Sequence, residues 1–409
     1  MKIAIVGAGL TGLSCALELR DYNPTIFECH DVGGLLASYG RKGYRIEKFY
    51  HHFFRWDHDL LNMIKRLGLS SKVVWKIAKT GFAIDGKIYP LNTPLEILRY
   101  PHLSLMDKIR LARFTLKSRK RDYTIEDDRG VVEGIREELG ENLLQKFFMP
   151  LLKAKFGENY ERVSYAWLLA RVAIRSNRKL SGEELGYLRR GFWQLVDRMA
   201  EGLNIIRKPV ENIGYFNKKY HIHGMEFDAV VWTAPLPLLD PKIANNLNLP
   251  SISYQSSICA LVGCEKPLSD LYWINVDNAI FGAVIEHTNF MPFEDYGEHL
   301  IYLASYTTPD SELFRMSEKN LANLYLKDLE RLGMKRRDVK WIKIFKAKYS
   351  APIYEKGYLK KIVPYRTNLK GFYLAGMFSK PNYPERSMNG SIKAGIEVAK
   401  ALKADFDLS

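Results

Sequence analysis

The spacing of apolar positions changes several times along this 409-residue chain. Ile3-Ala-Ile-Val6 is a short, β-branched run without alternation, which predicts a strand buried on both faces. Residues 13–20 switch to helical spacing, and Thr25-Ile-Phe-Glu28 reads as a second strand. Helices are also predicted over 57–67, 104–121, 167–178, 317–332 and 391–402. Residues 82–89 read as a hairpin turning on Asp85-Gly86. Ile205-Ile206 and residues 210–213 read as strands, followed by a polar hairpin over 215–227. Asp228-Ala-Val-Val-Trp-Thr-Ala-Pro235 is a strand ending on a small-residue loop. Alternating strands over 250–350 suggest an antiparallel sheet. The chain closes on a strand at Gly371-Phe-Tyr-Leu-Ala-Gly376, a loop and a helix, much as it begins.

The opening unit carries chemistry. Gly7-Ala-Gly9-Leu-Thr-Gly12 lies between the first strand and the first helix. Gly7 permits the tight turn, Gly9 lets backbone approach a pyrophosphate, and Gly12 lets helix and strand pack closely. The helix N-terminus offers free N–H groups and a positive dipole end to phosphate. Glu28 follows Gly7 by 21 residues, where a carboxylate reaches a ribose hydroxyl. It also disfavours a cofactor with a 2′-phosphate, since two anions would meet. The paired Gly33-Gly34 brings a second loop close to the same ligand.

Composition narrows the class. No apolar run reaches the ~18 residues of a spanning helix. The first residues already form a strand, which leaves no signal peptide and points to a cytoplasmic setting. The four cysteines, at 15, 29, 259 and 264, form no C-x-x-C pair, so neither a disulfide framework nor a metal site is expected. A formal charge of +15 suits nucleic acid, anionic lipid or a phosphorylated substrate and does not choose among them. The expected partner of a dinucleotide protein is a small molecule rather than nucleic acid. Only three glutamines occur, a usage that resembles thermophile proteins. Arg110, Arg113, Lys117 and Arg121 make a basic stripe beside the apolar row Leu105, Ile109, Ala112 and Leu116. That stripe is either a solvated face or a peripheral contact with anionic membrane. Arg171, Arg175 and Arg178 share a helical face, which serves either to clamp a phosphate or carboxylate or to form surface salt bridges with glutamates. Tyr50, His51 and His52 sit in an aromatic, imidazole-rich segment. If that segment is extended, only one of the two histidines faces a given pocket.

The first segment, Gly33-Gly34, and the closing Tyr373-Leu-Ala-Gly376 and Ser387-Met-Asn-Gly-Ser-Ile-Lys-Ala-Gly395 together resemble the FAD-dependent amine oxidase superfamily. Pro150-Leu-Leu-Lys-Ala-Lys-Phe-Gly157 and Tyr349-Ser-Ala-Pro-Ile-Tyr354 look most like its protoporphyrinogen-oxidase-like branch, which stands beside the phytoene desaturases. The resemblance implies an α/β fold with a Rossmann-like FAD domain assembled from 1–75, 185–240 and 355–409. An inserted α+β substrate domain would comprise 76–184 and 241–354, with an antiparallel sheet and a helical region. It implies that Gly7, Gly9, Leu10, Thr11 and Gly12 hold the pyrophosphate and Glu28 the ribose, with Gly33 and Gly34 beside them. Val210 would flank the adenine, and Gly376, Met388 and Asn389 would approach the ribityl chain and flavin. Without a cysteine after Cys264, the C-terminal cysteinyl flavin of monoamine oxidases cannot form, so FAD is expected to be non-covalent. The arginine usual after the paired glycines is replaced by Leu35-Leu36, with Arg41 and Arg45 the nearest substitutes. The implied activity is hydride transfer from a C–N or C–C bond to FAD, with His52 the candidate polar group at the flavin, and Tyr50 and His51 behind it. Ile46-Glu-Lys-Phe-Tyr-His-His52 is also similar to UDP-galactopyranose mutase, a redox-neutral alternative. An FAD-stabilised, non-enzymatic or membrane-associated protein is a third.

Overall fold

Ile3–Val6 is the middle strand of a five-stranded sheet ordered Phe372–Leu374, Ala229–Trp232, Ile3–Val6, Thr25–Phe27, Asn204–Ile206. Every pairing in it is parallel. The computed structural model describes residues 1–118, 121–175 and 182–408, with the side chains of 174 and 175 excepted. All residues of Ile3–Val6 and Ala229–Trp232 are buried, because both faces of the sheet are covered. Ile3 and Ile5 pack towards the helices Leu10–Glu18 and Met388–Asp405. Ala4 and Val6 pack towards a small antiparallel sheet of Gly214–Phe216, Lys219–Ile222 and Met225–Phe227. The first helix thus begins at Leu10, three residues earlier than its apolar spacing suggests.

The first and last helices meet at unusually short range. A Cβ on Gly395 would lie 2.3 Å from the Thr11 carbonyl oxygen, and one on Gly12 would lie 1.9 Å from that of Gly7. Thr11 Oγ1 donates to the Ser391 carbonyl at 3.0 Å. Ser387 caps the last helix, accepting from the Gly390 N–H at 2.9 Å.

A second sheet has seven strands, in the order Val339–Pro352, Tyr254–Cys264, His299–Thr307, Ala283–Glu286, Trp273–Val276, Thr80–Ile84, Lys87–Pro90. The hairpin at Asp85-Gly86, both with positive φ, forms its edge. Trp273–Val276 runs parallel to Thr80–Ile84, and the remaining pairs are antiparallel. Beside it lies a helical cluster that includes Leu105–Ser118, Val131–Leu139, Met149–Phe156 and Tyr165–Arg175. Glu47, at the end of the short strand Tyr44–Glu47, ties that strand to the second sheet and to the segment 187–192. Its buried carboxylate accepts from Tyr187 Oη at 2.6 Å and from the Phe192 N–H, while its carbonyl accepts from Tyr302 Oη at 2.7 Å. Burial pushes the Glu47 carboxyl up, and these donors work against that.

Three sequence expectations change. Residues 210–213 are not a strand but an irregular connection whose ends are buried, Ile213 N donating to Asp240 Oδ2 at 2.8 Å. The helix read over 104–121 is present over Leu105–Ser118 with Ser104 as its cap, as its sequence implies, and Ser104 donates to Asp107 Oδ2 at 2.6 Å. Its apolar row faces outward: Leu105 is 65 % and Leu116 62 % exposed, whereas Asp107, Phe114 and Ser118 are buried. Arg121 leaves the stripe to pair with Glu138 at 2.7 Å and with Glu126. Arg178 lies outside the described residues.

Gly395→Val is expected to lower stability by about 1–3 kcal/mol, the usual cost of overpacking. Thermal or urea melting checks this.

Candidate functional site

At the end of Ile3–Val6 the chain turns at Gly7, with φ of 105°. A side chain there would meet Thr233 Oγ1, which donates to the Val6 carbonyl at 2.8 Å. The small-residue loop after Ala229–Trp232 therefore lies directly against the glycine turn. Around an added Cβ on Gly9 there is open space for 4 Å. The first N–H groups of Leu10–Glu18 have no acceptors within the helix, and its dipole is positive at that end. Gly33 bridges to Gly9, and its N–H donates to the Ala8 carbonyl at 2.8 Å. Gly33 and Gly34 both need positive φ to make that approach. Glu28 Oε2 accepts from the Ala8 N–H at 2.7 Å and Oε1 from the His30 N–H at 2.8 Å. The carboxylate is thereby fixed at the strand end.

A cavity of about 1620 Å³ opens here. Gly7, Gly9, Leu10, Thr11, Glu28, Gly33, Gly34, Val210, Met388 and Asn389 line it, as do Tyr50, His51, His52 and Arg171. Gly12 and Gly376 do not. Gly12 is packed under the Gly7 carbonyl, and Gly376 is held by Ser379 and Asn382 while its neighbour Met377 reaches the wall. The Thr11 hydroxyl and the Asn389 amide are spent on packing: Asn389 Oδ1 accepts from the Leu60 N–H at 3.0 Å. Arg41 and Arg45 are not on the wall either. They pair with Glu298 at 3.3 Å and with Asp197 at 2.6 Å, so neither replaces the missing arginine. The Arg175 side chain is outside the described residues.

Both histidines line the cavity, contrary to the alternation expected of a strand. Residues 48–52 form no strand, and the two-residue period fails with it. His51 Nδ1 is 2.8 Å from the Phe49 carbonyl, and burial lowers its pKa to about 4, which keeps it neutral. His52 Nδ1 is 3.3 Å from Tyr272 Oη, edge-on to Trp273. Tyr50 hydrogen-bonds Tyr306, and Lys155 Nζ sits 4.0 Å from the centre of the Tyr306 ring. Burial raises the Tyr306 phenol, but Lys155 and Arg386 outweigh it and hold the phenol below its ordinary value. Tyr50 is pushed well above that value by burial and by Tyr306. Arg171 Nη1 pairs with Glu385 Oε1 at 2.8 Å.

Lys155 falls in the Pro150–Gly157 motif that carries the resemblance, but sequence alone singles out neither it nor Tyr306 or Arg386 as a site residue. Lys155 lies in the helix Met149–Phe156 and Tyr306 in the strand His299–Thr307, where lysine and tyrosine are ordinary. Only the long-range fold places them on one wall.

The flavin containing amine oxidoreductase family matches residues 10–403, and the chain belongs to it. FAD is therefore its cofactor, and the chain is an oxidoreductase. The 15-cis-phytoene desaturase of Arabidopsis thaliana is 25% identical over all of this chain and 81% of its own length. A putative protoporphyrinogen oxidase from Exiguobacterium shares the fold with a TM-score of 0.79, at 19% identity and 99% coverage of both chains. Reduced UDP-galactopyranose mutase does so with a TM-score of 0.70, at 17% identity over 98% of this chain and 95% of its own. The cavity suits FAD: it exceeds the ~300–1,000 Å³ of an ordinary ligand pocket, and its glycine end leaves backbone N–H groups bare of side chains.

Lys155→Met is expected to move the Tyr306 ionisation up towards the ordinary 10.0. Ultraviolet difference titration against Tyr306→Phe isolates that phenol and checks the shift.

Proposed function

We propose that this protein takes a hydride from a C–C or C–N bond of a small substrate onto FAD held without a covalent link. The observation that carries this is continuity. One cavity runs from the glycine turn and Glu28 to an aromatic chamber walled by Tyr50, His52, Trp273 and Tyr306. In this reading Gly7, Gly9, Leu10, Gly33 and Gly34 hold the pyrophosphate, chiefly through backbone. Glu28 faces the ribose, Val210 the adenine, and Met388 and Asn389 the flavin. The cofactor, when bound, supplies the two-electron acceptor. The chain supplies position and proton handling. His52 is the polar group proposed for the flavin face, and His51 stays neutral beside it. Desaturation also releases a proton, and Tyr306 Oη, with Tyr50 hydrogen-bonded to it and Lys155 over its ring, is placed to hold one. The desaturase relative and the oxidase neighbour make polyenes and porphyrinogens the first substrates to try.

The mutase neighbour supports a second reading, in which a nucleotide sugar turns over without net oxidation. The two separate cleanly. A substrate of the first kind bleaches the flavin anaerobically, whereas a UDP-sugar would turn over only after the flavin is reduced. Glu28→Ala is expected to weaken FAD retention about tenfold or more, since it removes the charge-assisted hydrogen bond proposed to the ribose, worth ~1.5–3 kcal/mol. Equilibrium dialysis of FAD measures it.

We also propose that Leu105–Ser118 and the preceding helix, Pro94–Arg99, rest on an anionic lipid surface. Leu95, Leu98, Leu105, Met106, Ile109 and Leu116 are exposed together with Arg99, Arg110, Arg113 and Lys117. Apolar residues flanked by cations match the acyl boundary and headgroups of such a membrane. Among the described residues no helix is long and apolar enough to cross a membrane. Leu105→Asp with Ile109→Asp is expected to abolish co-sedimentation with phosphatidylserine vesicles. Binding that ignores lipid charge would count against this surface.

A further inference from the structure

The chamber end of the cavity is short of negative charge. Lys155, Arg171 and Arg386 all line it, and Glu385 is the carboxylate among them. The buried Glu183 also acts on Arg171, so three cations face two carboxylates and one positive charge is left over. Glu385 is already engaged, its Oε1 bonded to Arg171 at 2.8 Å. Among the described residues no carboxylate lies within salt-bridge distance of Lys155 or Arg386. Lys155 Nζ instead sits 4.0 Å from the Tyr306 ring centre and acts on its phenol, which is a neutral partner while it keeps its proton. All three cations are half-buried, and burying unpaired charge is costly. These side chains come from three separate parts of the chain: the helix Met149–Phe156, the helix Tyr165–Arg175 and the loop before Met388–Asp405. The fold has gathered like charges that repel one another, on a wall where a ligand can reach them.

We propose that the substrate carries a carboxylate or phosphate group, and that Lys155 and Arg386 bind it at this end of the cavity, with the Arg171–Glu385 pair alongside. The proposal rests on the cavity being the substrate site, and it names the class of substrate that site takes. The planar guanidinium of Arg386 offers paired N–H donors to a two-oxygen anion, and Lys155 adds a point charge. A protonated amine would meet like charge here, and a neutral hydrocarbon would leave the excess uncompensated. An ionised Tyr306 is the competing counter-charge within the protein.

The test uses the full chain loaded with FAD and freed of excess, its visible spectrum recorded first. Inorganic phosphate, succinate and putrescine are titrated separately at constant ionic strength, by calorimetry and by perturbation of flavin absorbance. Saturable binding of succinate or phosphate is expected, and the tighter of the two tells carboxylate from phosphate. Putrescine is expected not to bind. Lys155→Met and Arg386→Met should each weaken the anion about tenfold, as for loss of a charged hydrogen bond, and Arg386→Lys should restore part. Flavin content and melting temperature confirm that each variant is folded. Tyr306→Phe should leave anion binding in place; binding that tightens sharply there would make the tyrosinate the natural counter-charge and overturn the proposal. FAD-loaded protein that binds neither anion, or binds one equally well in both Met variants, also overturns it and leaves the flavoenzyme reading standing. Protein that takes up no FAD overturns both.

Discussion

The contact between the first and last helices is the constraint on which the rest depends. Gly395 lets the two helices meet backbone to backbone where any side chain would overlap the Thr11 carbonyl oxygen, and Gly12 does the same for the first helix against the Gly7 turn. Packing Met388–Asp405 onto Leu10–Glu18 does two things at once. It covers the helix face of the parallel sheet, and it brings Met388 and Asn389 to the cavity that begins at Gly7 and Gly9. Thr11 and Asn389 then serve as fasteners. Each uses its polar side chain to tie neighbouring elements, which leaves backbone and apolar groups to face the ligand.

Buried polar links tie the second sheet to the strand pair Ser38–Arg41 and Tyr44–Glu47 and to the segment 187–192. Glu47 accepts from Tyr187 and the Phe192 N–H through its carboxylate, and from Tyr302 through its carbonyl. Tyr44 donates to Glu298 at 2.8 Å nearby. Buried carboxylates of this sort are unfavourable alone and fix a unique arrangement when every donor is present. That arrangement sets Tyr306 of the second sheet against Tyr50 of the segment leading from the first. The geometry that distinguishes this chamber is thus a product of packing between the second sheet and the segment after Tyr44–Glu47, and the charges at its wall are brought by the helical cluster and the loop before the last helix.

Local pattern made some of this legible. The strand, glycine turn, helix and acid at 3–28 each depend on neighbours in sequence, as do the Asp85-Gly86 hairpin and the Ser104 cap. Where an expectation failed, a local rule had been extended past its range. Residues 210–213 have strand composition but no partner strand to pair with. His51 and His52 alternate only if extended, and the chain there is irregular. The apolar row of Leu105–Ser118 obeys the helical period, yet the helix buries its Asp107–Phe114–Ser118 side instead. Periodicity shows that a helix has two faces and cannot say which one meets the protein.

The sequence by itself determined the dinucleotide-type turn, the glycines that only a close backbone approach requires, and the family to which the chain belongs. These follow from steric and hydrogen-bonding demands that act within a few residues. The tertiary structure alone decided which side chains share the cavity wall. Lys155, Tyr306 and Arg386 lie far apart in the chain, and although Lys155 falls in a family-like motif, nothing local says that the three share a wall. Their meaning is electrostatic, it depends on separation in space, and only the packing of two sheets and a helical cluster sets that separation.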